Sequence, residues 1–192
     1  MSDASVVEGV RVRRLRTDDL GERLVGEIRS LLWSAFADDA DAADDGFTED
    51  DWQHALGGLH FILDLDGSAV GHASVVERRL EVAGRALRTG YVEAVAIEPS
   101  RQRRGLGTIL MRAVNDHILA NFEIGALGTG SHAFYERLGW QTWHGPSSVR
   151  TPNGLQPTSA EDGNILVLPT PSSPALRLTD PISCEWRPGD VW

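Results

Sequence analysis

The chain has one cysteine, Cys184, in 192 residues. No intrachain disulfide can form, which fits a reducing compartment. No run of 18 apolar residues occurs, so no membrane-spanning helix is expected. Residues 1–9 have neither a basic n-region nor an apolar h-region. They do not read as a signal peptide, the cytoplasm is the default location, and this segment is expected to be disordered. Basic side chains are in deficit, with 18 Lys+Arg against 28 Asp+Glu and a formal charge of −10. A nucleic-acid binder shows the opposite balance, so nucleic acid is not an expected partner. The acidic excess leaves two readings, solubility or attraction of cationic small molecules. His54, His60, His72, His117, His132 and His144 lack metal-ligand spacing, so no metal is expected and they read as structural or surface residues. Asp64-Leu65-Asp66-Gly67 lacks the later ligands of a calcium loop. Repeats and a second core are also missing. One domain over residues 10–192 remains, long enough for a substantial core.

Val10 to Leu15 reads as a strand. Leu20, Leu24, Ile28, Leu31 and Leu32 then have helical spacing. Residues 37–51 are acidic and low in complexity, expected to start as a mobile loop. Thr48 and Asp51 have capping-box spacing ahead of a short helix through Trp52 and Leu56. A hairpin follows: His60 to Leu65, a turn at Asp66-Gly67, and a strand from Ala69. Ala83-Gly84 turns the chain into a long strand, Arg85 to Ile97, closed by Pro99. Gly105 opens an amphipathic helix, Ile124 to Leu127 reads as a buried strand, and Ser131 begins a helix through Leu138. Beyond Trp143 only Ile165 to Leu168 has strand character in a stretch rich in Pro, Ser, Thr and Gly. Strands followed by strand–helix–strand–helix predict a single α+β domain, a mixed, mostly antiparallel twisted sheet flanked by helices.

The turn Gln102-Arg103-Arg104-Gly105-Leu106-Gly107 joins a strand to a helix. A helix N-terminus offers unpaired N–H groups and a positive dipole end, which suits phosphate. Gly105 and Gly107 allow close backbone approach, and Arg101, Arg103 and Arg104 add charge. Neither a P-loop nor a dinucleotide fingerprint is present. A pyrophosphate ligand and an ordinary basic turn are the two readings.

The Q-x-x-G-x-G turn after a strand resembles the coenzyme A loop of the GCN5-related N-acetyltransferases. Tyr91 to Ile97 resembles that family's fourth strand, which splays from its neighbour and offers backbone groups to pantetheine. Ala133 to Trp140 is similar to its F-Y-x-x-x-G-F/W segment. Four further segments are similar to the aminoglycoside 2′-N-acetyltransferase branch: 54–60, 90–93, 143–146 and 186–192. The likeness departs at residues 37–45 and at Gly128-Thr129-Gly130. The resemblance implies the family's fold, acetyl-coenzyme A as co-substrate, and a polycationic aminoglycoside acceptor. It also implies antibiotic resistance and a homodimer. Val95, Ala96, Ile97 and the turn residues Gln102, Arg103, Arg104, Gly105, Leu106 and Gly107 would hold the cofactor.

Acetyl transfer needs a neutral amine, a stabilised thioester oxygen and a proton for the leaving thiolate. Glu93 is the candidate base, because a carboxylate is unusual among apolar strand neighbours. Its plainer reading is an exposed strand residue or a partner for Arg88. Tyr135 is the candidate acid, with a helix tyrosine packing its ring in the core as the plainer reading, and the Val95 N–H is the candidate oxyanion donor. The branch likeness places Asp51, Asp190 and the Trp192 carboxylate at the acceptor. Tryptophan is costly to leave in solvent, so Trp186 and Trp192 are expected to dock, and a tail that anchors the fold alone is the plainer reading. Asp45, Ala94, Thr129, Glu161, Asp162 and Gly189 are expected to line the same site. A different cellular amine as acceptor, or a non-catalytic coenzyme A-binding module, are the competing readings.

Overall fold

A computed structural model describes residues 9–37 and 46–192. The first eight residues, Asp45 and most of the acidic loop therefore lie outside the described residues. Ten strands form one sheet. β1 is Val10–Arg16, β2 Leu59–Leu65, β3 Ser68–Val82, β4 Arg85–Ile97 and β5 Ile124–Gly128. The tail adds β6 (Gln141–Thr142), β7 (Ser147–Thr151), β8 (Gly154–Pro157), β9 (Ile165–Pro169) and β10 (Ile182–Glu185). The order is β6-β9-β5-β4-β3-β10-β7-β8, with β2 and then β1 attached to the first half of β3. All pairings are antiparallel except β4–β5 and β10–β7. The α+β expectation holds.

Among the described residues four α-helices flank the sheet: α1 (Glu22–Phe36), α2 (Glu49–Ala55), α3 (Leu106–Asn121) and α4 (His132–Glu136). None among the described residues is long and apolar enough to cross a membrane. α2 begins where its capping box requires: the Thr48 hydroxyl accepts from the Asp51 N–H, and the Asp51 carboxylate accepts from the Thr48 N–H. α3 buries Leu106, Leu110, Met111, Val114 and Ile118 on one face, the stripe its spacing dictates. It packs with α4 on one side of the sheet, and α1 and α2 cover part of the other.

The tail differs from its expected single strand. β7, β8 and β10 are short and polar at alternate positions, so their signal is weak. β10 inserts between β3 and β7, and Ile182 and Cys184 bury there with Trp143. The chain at Gly145 runs so close to Asp180 that an added Cβ would lie 2.0 Å from the Asp180 carbonyl oxygen. Glycine is the residue that fits. α4 ends at Glu136, short of Leu138, because Gly139 takes φ 94° and turns the chain toward β6.

One polar chain runs from the turn after β1 across β2 and β3 to β4. The Gly57 N–H donates to Thr17 Oγ1 over 2.8 Å, and Thr17 Oγ1 lies 2.8 Å from His60 Nε2. His60 Nδ1 is 2.9 Å from His72 Nε2, and His72 Nδ1 is 2.8 Å from the Ala94 carbonyl oxygen. Both imidazoles are fully buried beside Trp52. Burial pushes His60 down to about 4. Burial, with His60 adding to it, pushes His72 down to about 3. The unfolded chain, with ordinary histidines near 6.5, therefore binds more protons over this window. Stability is complete above pH 6.5 and falls as the pH drops toward 4, with a slope of at most about 2.7 kcal/mol per pH unit for two protons. Urea midpoints measured between pH 7.5 and 4.5 should show this fall, and the double variant His60→Gln/His72→Asn should lose most of the slope. A wild-type midpoint flat from pH 7 to 5 would refute the linkage.

Candidate active site

The site is built on β4. β4 and β5 pair only through Thr89–Tyr91 and Ile124–Ala126. Beyond Tyr91, β4 stays with β3 while β5 continues beside β9. The two strands part, and the backbone of Val92 to Ile97 on that edge lines a cleft without a neighbouring strand to pair with.

At the opening the register slips. His72 faces Ala96 and Ser74 faces Glu93, so Ala94 and Val95 together oppose Ala73. Ala94 takes φ 52°, a left-handed conformation that costs a non-glycine residue about 1 kcal/mol. The bulge resets the alternation of the strand. Val92, Val95 and Ile97 pack with α3, whereas Ala94 and Ala96 pack with α1 and α2.

Glu93 is thereby left facing a cavity of about 240 Å³. Its walls include Asp51, His54, Gly128, Asp190 and Trp192, with the aromatic rings of Phe36 and Phe47. Glu93 is neither an exposed strand residue nor a partner of Arg88. Arg88 pairs with Glu77 and with the Asn121 carbonyl. Glu93 is paired with Arg187, Nη1 to Oε1 2.5 Å, with only 14% and 13% of the two side chains exposed. Burial raises Glu93 above the usual carboxylate range, and Arg187 opposes that rise. The net displacement is toward neutral pH, where a general base works best.

Arg187 is held from both sides. Its Nε donates to the Asp190 carbonyl and its Nη2 to the Trp192 main-chain oxygen. It lies over the Tyr91 ring at 5.6 Å, as does Arg78 at 4.6 Å. The Trp192 indole is 4% exposed and donates to Thr158 Oγ1. The Asp190 carboxylate accepts from the Trp192 N–H, and His54 Nε2 meets the Pro188 carbonyl oxygen at 2.8 Å. Trp192 docks as expected. Trp186 does not: it is 57% exposed, since it follows the last pairing of β10 and points away from the core.

The structure brings Asp51, Glu93, Ala94, Asp190 and Trp192 together around the cavity. Thr129, Glu161, Asp162 and Gly189 do not line it. The Thr129 hydroxyl accepts from the Ser131 N–H, and the Asp162 carboxylate from the Ser147 N–H and hydroxyl. Gly189, at φ 68°, lies against Asp50. Asp51 gives Oδ2 to its helix cap. Sequence reasoning missed Arg187, although it sits in a quoted segment, because its partner lies 94 residues away. It also missed Ser74 and Tyr91. Ser74 faces Glu93 across the ladder, and its buried Oγ, the buried Tyr91 hydroxyl and Arg78 Nη1 have no partner among the described residues.

Tyr135 is 7% exposed in the cluster that contains Val92, Leu127 and, at its margin, Val95. Burial pushes its hydroxyl up to about 12, so it stays protonated at neutral pH. The turn after β4 has a phosphate-binding shape. Arg103 and Gly105 take φ 58° and 80°, and left-handed steps of this kind occur in the backbone nests that hold anions. Gly105 caps α3 without a side-chain bond, and the first helical bond runs from the Ile109 N–H to Gly105. The amides of Leu106, Gly107 and Thr108 precede it, with Arg103 and Arg104 exposed alongside. Arg101 is not part of this charge, being paired with Glu98 at 2.7 Å. Gln102 instead folds back, donating to the Ile97 carbonyl. Gly107 admits the Phe134 ring, 3.3 Å from where a Cβ would stand. A pyrophosphate at this turn and a pantetheine arm along the cleft fit these groups.

Comparison with known proteins agrees. Residues 25–140 match the Acetyltransferase (GNAT) family. Over 184 residues the chain is 39% identical to an aminoglycoside 2′-N-acetyltransferase of Mycolicibacterium fortuitum, covering 94% of this chain and 91% of that protein. A GNAT family acetyltransferase of Brucella melitensis, solved with acetyl-CoA, superposes with a TM-score of 0.60 at 18% identity over 90% of this chain and 94% of that one. A GNAT family N-acetyltransferase of Escherichia coli, solved with CoA, gives 0.56 at 16% over 91% and 89%. These two speak for the fold. With a family match over more than half its length and a close relative over nearly all of it, the chain belongs to the GNAT acetyltransferase family.

Proposed function

We propose that the protein transfers acetyl from acetyl-coenzyme A to the 2′-amino group of an aminoglycoside, in one ternary complex and without an acetyl-enzyme. The observation that carries this reading is the acidic cavity at the mouth of the β4–β5 cleft, where Asp51, Glu93 and Asp190 stand among aromatic rings. The likeness to an aminoglycoside 2′-N-acetyltransferase over most of the chain supports it. Several ammonium groups on one acceptor suit several carboxylates on one wall.

In the proposed step the 2′-ammonium gives a proton to Glu93. The free amine attacks the thioester carbon, the C–S bond breaks and Tyr135 protonates the sulfur, while the proton that leaves the nitrogen as the amide forms restores the Tyr135 hydroxyl. The Val95 N–H would take the thioester oxygen as its charge develops. Val95, Ala96 and Ile97 would line the pantetheine. Asp51, Asp190 and Trp192 would position the acceptor. Resistance to such a drug follows for the host cell. A cytoplasmic homodimer belongs to the same proposal, supported by the exposed side chains of Leu155 on edge strand β8 and of Trp186.

Thiol release from acetyl-coenzyme A in the presence of tobramycin, with NMR of the product, tests the reading. Acetylation at the 2′ nitrogen is expected; equal rates with an acceptor bearing a 2′-hydroxyl would exclude it. Glu93→Gln should lower kcat by about 10²–10⁴-fold and remove the acid limb of the pH profile, which should lie above the ordinary carboxylate range. An unaltered limb would remove Glu93 as the base. A chain ending at Asp190 should bind acetyl-coenzyme A normally and raise KM for the acceptor at least tenfold. Parallel loss of both would make the Trp192 segment a fold anchor alone.

A further inference from the structure

The hydrogen-bonded chain that runs from Thr17 across β2 and β3 to β4 has a direction that can be read without seeing a proton. A carbonyl oxygen only accepts, so His72 Nδ1 carries hydrogen toward Ala94. The ring is neutral, so His72 Nε2 is bare and accepts from His60 Nδ1–H. His60 Nε2 is then bare and accepts from the Thr17 hydroxyl. That hydroxyl oxygen in turn accepts the Gly57 N–H, a group that can only donate. Both ends demand the same orientation, and every link lies between 2.8 and 2.9 Å.

The chain ends on the one backbone group that the bulge most needs to hold. Ala94 is left-handed without being glycine, a state that persists only where surroundings over-determine it. The register slip takes Ala94 out of one-to-one pairing with β3, and the His72 ring supplies the donor that its carbonyl meets there. That carbonyl belongs to the same peptide plane as the Val95 N–H. Fixing one fixes the direction of the other, since C=O and N–H of a trans peptide point oppositely.

We propose that His72, His60 and Thr17 are positioning residues that aim the Val95 N–H at the acetyl thioester by anchoring the Ala94–Val95 peptide. The inference rests on the Val95 reading above and not on the identity of the acceptor. Aligned donors polarise one another, so the far end at Thr17 contributes too. The two rings are locked as neutral tautomers, which keeps the anchor intact throughout the pH range where an amine is acetylated.

Infrared spectra of carbonyl-¹³C acetyl-coenzyme A bound without acceptor read the thioester hydrogen bond directly. In the wild type the thioester band should lie below that of the free compound. In His72→Leu it should return most of the way, with kcat lowered about 10- to 100-fold, below the roughly 10²–10³-fold lost with a whole oxyanion donor. KM for acetyl-coenzyme A should change little. His72→Asn, whose amide nitrogen can stand at the Nδ1 position, should recover both band and kcat, which a packing role alone would not produce. Should His72→Leu fail to fold, Thr17→Val, which spares both rings, carries the test with a smaller shift in the same direction. A wild-type band that matches the free compound would overturn the Val95 reading and the anchor with it, leaving the acceptor assignment standing. A shifted wild-type band that persists unchanged in His72→Leu or Thr17→Val would overturn the anchor alone.

Discussion

At Ala94 a non-glycine residue is held at φ 52° in the middle of the longest strand pair of the sheet. Much else follows from that one extra residue. Without it, Glu93 and Val95 would face the same way. With it, Glu93 turns to the acidic cavity while Val95 packs under α3. The bulge also sits where β5 has already left β4. The sheet therefore opens next to the point at which its strand is most distorted, and backbone groups become available there that a regular ladder would consume.

The second organising feature is the tail. β10 pairs with the far end of β3, at Glu81 and Val82, beyond the part that β2 covers, so β3 changes neighbours along its length. The segment after β10 then crosses the cavity mouth and delivers Arg187, Asp190 and Trp192. Its fastenings are specific: His54 to Pro188, Trp192 to Thr158, Arg187 to Glu93. The proposed acceptor side is thus assembled from α2, β4 and the tail, which are far apart in sequence. The proposed cofactor side is local, one turn between β4 and α3.

That contrast explains what was legible. The cofactor turn, the capping box at Thr48 and Asp51, the β2–β3 hairpin and the amphipathic α3 are all written in neighbouring residues, and periodicity and turn chemistry find them. Glu93 stood out because a carboxylate within an apolar strand is costly. The left-handed Ala94 was invisible, because Glu-Ala-Val-Ala reads as regular strand and the distortion is imposed by the opposing register. His60 and His72 read as bland, since their meaning lies in a diagonal between two strands and in a carbonyl on a third. Trp186 and Trp192 look alike in sequence, yet only Trp192 finds a donor's partner and a pocket. Thr129 and Asp162, expected at the acceptor, spend their oxygens on local turns.

Arg187 places a permanent cation against Glu93, the carboxylate of the proposed acetylation site. A guanidinium stays protonated and is no nucleophile under these conditions. A lysine in its place would offer a titratable amine beside the proposed base and next to the cleft proposed for the thioester, an acetylatable side chain within the site itself. The same logic extends over the whole molecule: all 18 basic side chains are arginine, and lysine does not occur in the chain. The described fold thus carries cations for pairing and for phosphate without carrying a single side-chain amine that its own chemistry could consume.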